Sequence, residues 1–120
     1  MAVTDKMVKL MTQLQKNTAE GKVSWQKTVD DGIFQVGFPN YTIKLFVRPN
    51  PNDFSGPDYV LQILGVEGEI IEEVSDTDFD SPEPSTREAY TLMKDLYTRA
   101  RRIGMGVERA LDSILSELSA

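Results

Sequence analysis

Asp76, Asp78 and Asp80 alternate with Thr77 and Phe79, the spacing that opens a calcium-binding loop. Calcium takes about six to eight hard oxygen ligands, and closely spaced aspartates can supply several of them. That motif calls for glycine at its sixth position and a bidentate glutamate at its twelfth. Here those positions hold Ser81 and Arg87, and Pro82 and Pro84 stiffen the segment between them. The expectation is a solvated acidic loop, without a metal site. Three carboxylate pairs have the residue types for acid–base work: Asp30 with Asp31, Glu72 with Glu73, and Asp53 with Asp58. Such work needs one carboxyl with a raised pKa in a cleft, opposite a second that stays ionised. Asp30-Asp31 precedes Gly32 in the pattern of a turn. Glu72 and Glu73 fall on opposite faces of an expected edge strand, where charge discourages edge pairing. No catalytic residue is expected from any of them.

The 120-residue chain contains neither histidine nor cysteine. Histidine is the commonest general base near neutral pH and the commonest transition-metal ligand, so serine–histidine triads and histidine-based zinc hydrolysis are excluded. Without cysteine there is no disulfide framework, thiolate nucleophile or thiolate metal site. No cofactor is indicated. Any catalysis would rest on carboxylates, lysine, tyrosine or a bound cation.

The net charge is −6, and its distribution says more than its size. Residues 67–83 carry eight acidic side chains and no basic one: Glu67, Glu69, Glu72, Glu73, Asp76, Asp78, Asp80 and Glu83. Outside this block 11 acidic residues stand against 13 Lys and Arg. A local field of one sign speaks for a charged partner more than a diffuse one does. Overall acidity argues against nucleic acid, which needs a basic face. No apolar run approaches the ~20 residues of a membrane span. The opening residues interleave Asp5, Lys6 and Lys9 with Met7, Val8 and Leu10, unlike a signal peptide, so the expected compartment is the cytoplasm.

These residues need elements to position them. Thr4 reads as a helix N-cap, with Val3 and Val8 placed to close a hydrophobic staple, and Met7, Leu10, Met11 and Leu14 form one apolar stripe. Gly21 falls where a left-handed C-terminal cap belongs. Period-two alternation predicts strands over 23–29, around Phe34, Val36 and Phe38, and over 41–48. Asp30-Asp31-Gly32 forms the first turn and Pro39-Asn40 the second. Three prolines and a glycine make 49–57 a loop. Strands four and five span 59–64 and 69–74, joined at Gly65–Gly68, and 75–84 is an exposed acidic stretch. Ser85 and Glu88 form a capping box ahead of an apolar stripe from Ala89 to Ala100. Gly104 and Gly106 break or kink this helix, and Val107, Ala110, Leu111, Ile114, Leu115 and Leu118 restart the pattern. The expected fold is one α+β domain over 1–120. It has an N-terminal helix, a five-stranded antiparallel meander and a C-terminal helix interrupted near 104–106. The terminal helices cover one sheet face in a two-layer sandwich.

Trp25, the runs Tyr59–Leu64 and Gly68–Glu73, Ala100-Arg101-Arg102 and Gly106–Asp112 together resemble small uncharacterised bacterial proteins with this helix, meander and helix layout. The resemblance implies a fold and a prokaryotic setting. It transfers no functional residue.

Helices on one side of the sheet would leave apolar residues of the other face in solvent. Phe46 shares that face with Lys44 and Arg48, and Val60 and Leu64 share it with Gln62. Exposed apolar patches mark partner surfaces. The candidate binding residues are therefore Phe46, Val60 and Leu64, the acidic Glu72, Glu73, Asp76, Asp78 and Asp80, and Arg101 and Arg102 of the basic last helical region. The corresponding function is a non-enzymatic cytosolic protein-interaction module: an adaptor, an inhibitor or a small subunit of a larger assembly. Its acidic block would steer a protein partner with a basic surface. The alternatives are a structural homodimer and a carboxylate- or cation-dependent enzyme.

Overall fold

The computed structural model describes residues 4–49, 56–79 and 85–120. Helix α1 (Asp5–Ala19) starts where Thr4 Oγ1 accepts the Met7 N–H at 3.2 Å, a cap worth about 1 kcal/mol. Gly21 follows the helix with φ 75°, as the left-handed stop requires. Val3, the other half of the expected staple, lies outside the described residues.

Five antiparallel strands follow in sequential order: β1 (Gln26–Lys27), β2 (Phe34–Gly37), β3 (Thr42–Arg48), β4 (Asp58–Leu64) and β5 (Ile70–Ser75). A short 3-10 turn over Asp76–Asp78 ends β5. Helix α2 (Thr86–Gly104) begins with Ser85 Oγ accepting the Glu88 N–H, and α3 (Val107–Ser119) follows a tight turn. The layout is the α+β order read from the sequence, with residues 104–106 as a turn between two helices. Gly106 sits there at φ 65°, and the Met105 N–H donates to the Arg101 carbonyl at 2.8 Å.

The first strand is shorter than its alternation predicts. Trp25 turns into the core, where its Nε1 donates to Thr18 Oγ1 at 3.0 Å, tying the segment to α1. Val29 is fully exposed because Thr28 Oγ1 donates to the Asp30 and Ile33 carbonyls and closes the hairpin early. Alternation reported the pleat but not where tertiary contacts end the ladder.

The core lies between one sheet face and α2. Phe34, Leu45, Leu61 and Val74 from the strands meet Phe79, Met93, Leu96 and Ala100. Helix α1 packs on α2 and adds Met11 and Leu14. Tyr59, Tyr90, Tyr97 and Phe34 form a chain of ring contacts with centroids 5.4–5.8 Å apart. Burial pushes both the Tyr59 and Tyr97 hydroxyls above the usual tyrosine range. Helix α3 takes no part in this core, contrary to the expectation that the C-terminal helical region lies on the sheet. None of its residues is buried.

Candidate functional site

The open sheet face is not the apolar patch that strand alternation suggests. Register places Val60 between Phe46 on β3 and Ser75 on β5. Val60 is 0% exposed and Leu64 is buried. This corrects their reading as surface contacts: on central strands, flanking side chains close over a small aliphatic residue without a covering helix. Phe46 is half-buried, with the Arg48 guanidinium 5.7 Å above its ring. Beside this row, register aligns five polar residues across the whole sheet: Gln26, Gln35, Lys44, Gln62 and Glu73. At its end Glu73 accepts from Gln62 Nε2 at 2.8 Å and from Arg48 Nη2 at 3.2 Å. These donors, Gln62 foremost, hold the Glu73 carboxyl below the usual range.

The acidic block divides the same way. Asp76 is buried, and its Oδ1 accepts the Tyr59 N–H at 2.7 Å. Asp78 Oδ2 accepts the Ser75 N–H at 2.8 Å. Both carboxylates close the chain onto itself at the end of β5, so the exposed loop expected around them is corrected to a backbone-capping turn. Glu72 and Glu73 are half-buried on opposite faces of the edge strand β5, and Glu72 Oε1 accepts the Glu73 N–H. Asp80 lies outside the described residues. Among the described carboxylates of the block, Glu67 and Glu69 in the β4–β5 turn are the exposed ones.

The basic candidates lie where the helices meet. Arg101 and Arg102 are exposed on the last turn of α2. Arg102 Nη2 is 2.6 Å from Glu108 Oε1 on α3, and Arg99 Nε is 2.9 Å from Asp95 Oδ2. A cleft of about 640 Å3 opens here between the end of α1 and the α2–α3 turn, lined by Arg99, Arg102 and Arg109 together with Glu108 and Asp112. Its charges are mixed, and two of the three guanidinium groups are paired. Gln15 Nε2, reaching across from α1, and Arg99 hold the Asp95 carboxyl below its ordinary range. Among the described residues no cluster of acidic side chains is placed to hold a metal ion.

The surface that stands out is α3. Leu111, Ile114, Leu115 and Leu118 are between 45% and 77% exposed. The principal packing of α3 against the body is on α2. The apolar periodicity of 107–118 is legible in the sequence; that it faces solvent is not. Intervals of four, three and four residues separate Val107, Leu111, Ile114 and Leu118. With Ala110 and Leu115 beside them these residues form the same wide stripe that a core-facing helix shows, so the pattern permits a helix partner without marking the face as uncovered. The structure brings Arg102 to α3 through Glu108, and leaves Phe46 and Glu73 on the sheet face. Among the described residues no helix is long and apolar enough to cross a membrane. Comparison with protein-family models, curated proteins and solved structures finds no match.

Proposed function

We propose that this protein is a cytoplasmic protein-interaction module, a small subunit that docks onto a protein partner through α3. One observation carries the reading. A helix of 13 residues holds four large aliphatic side chains, Leu111, Ile114, Leu115 and Leu118, along one stripe and buries none of them. Full burial of one such side chain is worth ~1.5–3 kcal/mol, so four that are roughly half exposed leave on the order of 5 kcal/mol available to a partner. The partner that fits is a helix with apolar residues at matching intervals, because knobs spaced by three and four residues seat in the holes of another helix. Glu67 and Glu69 keep the steering role expected of the acidic block, reduced to one turn.

A carboxylate-dependent enzyme finds less support. Glu73 and Asp95 are carboxyls displaced from the ordinary range, and both are held down by hydrogen-bond donors, the opposite direction from a general acid.

The test is a photo-crosslinking amino acid at Leu115 of the full chain in its source cells, with a second probe at Glu67. Adducts at position 115 that disappear with Leu111→Glu are the expected result. Adducts at position 67 that survive Leu111→Glu, with none at 115, would refute α3 as the docking element.

A further inference from the structure

We infer that the helix received by α3 is α3 of a second copy of this chain, packed antiparallel about a two-fold axis between Leu111 and Ile114. The inference rests on the reading of α3 as the docking element. The intervals are self-complementary: antiparallel pairing about that axis sets Leu111 against Ile114 and Val107 against Leu118, so every seam residue meets an apolar one. Charge selects the orientation. The proximal end of α3 and the adjoining last turn of α2 carry Arg101, Arg102 and Arg109 against Glu108. The distal half, from Ile114 onward, carries Glu117 and no basic residue, while Asp112 sits at the axis. Antiparallel packing lays each acidic half along the other copy's basic end and opposes the two helix dipoles. Parallel packing would gather like charges at both ends.

The geometry needs no unpacking. Helix α3 contributes no buried residue to its own body, and a 13-residue helix is ~20 Å long, so the two bodies stand at opposite ends of the pair.

The experiment is sedimentation and light scattering of the full chain over a wide concentration range. The expected mass is twice that of the chain, falling to that of one chain in Leu111→Glu/Ile114→Glu. Emission from the buried Trp25 should be unchanged in that variant, reporting an intact body. A cysteine-free chain makes orientation readable. When Ala110→Cys and Glu117→Cys variants are mixed and oxidised, the mixed disulfide should exceed both self-linked products. Dominant self-linked products would overturn the antiparallel arrangement. A chain that stays monomeric while the probe at Leu115 captures another protein would overturn the second copy and leave the docking reading standing. A monomer with no adduct at 115 would overturn both.

Discussion

Gly104 rests directly on Phe34: a Cβ at Gly104 would lie 2.7 Å from the Phe34 ring and 3.3 Å from the Lys27 amide nitrogen. This contact seats the end of α2 on the β1–β2 hairpin, and α3 leaves the body from there. In an exposed helix, Gly→Ala would gain about 1 kcal/mol. Here the buried ring cannot give way, and overpacking costs ~1–3 kcal/mol. Gly104→Ala should therefore lower the denaturant midpoint with an unchanged slope. A rise in midpoint would contradict the contact.

Thr18 and Trp25 are buried together, and their hydrogen bond is the indole N–H donating to the hydroxyl. Thr18→Val keeps the volume and leaves that N–H without its acceptor. The expected loss is ~1–3 kcal/mol by chemical denaturation. No measurable change would mean the indole finds another acceptor.

Val60 separates a structural reading of the open sheet face from a binding one. Its complete burial makes Val60→Ala a core truncation, expected to cost about 2 kcal/mol. A surface contact residue would tolerate the change with no shift in thermal midpoint.

Asp76 caps the Tyr59 amide from inside the end of β5. Asp76→Ala should destabilise the fold by ~1–3 kcal/mol in metal-free buffer. If added calcium raised the thermal midpoint of the natural chain and not of this variant, the cap would also be a ligand.

The pH dependence follows from the shifted groups. Glu73 and Asp95 have folded pKa values below their unfolded ones, so their stabilisation is complete above the ordinary carboxylate range and is lost as pH falls through the lowered values. Both are partly solvated, which keeps the effect small. Tyr59 and Tyr97 are raised, so their contribution is complete below about pH 10 and is lost as pH rises through the folded values. Stability against pH should be flat near neutrality and fall at both extremes. Gln15→Ala should flatten the acid limb and Tyr59→Phe the alkaline one, as read by denaturation at a series of pH values.

What the sequence determined by itself is local. Thr4 and Ser85 start helices because a hydroxyl three residues ahead reaches an orphan amide, and Gly21 and Gly106 end or restart them because they adopt positive φ. Period-two alternation and the turns at Asp30–Gly32 and Gly65–Gly68 set the order of the meander, since each depends on residues close in the chain. Tertiary structure decided what each apolar or acidic side chain faces. Periodicity shows that a helix or strand has an apolar side without saying what covers it. The same pattern therefore served Leu96 in the core and Leu118 in solvent. Val60 and Asp76 changed from surface to interior for the same reason: their neighbours Phe46 and Tyr59 come from other strands or turns, 14 and 17 positions away. Contacts such as Gln15 with Asp95 and Tyr97 with Gly32, 80 and 65 positions apart, are set by how α2 packs against α1 and against the β1–β2 hairpin. No window of local sequence carries that information.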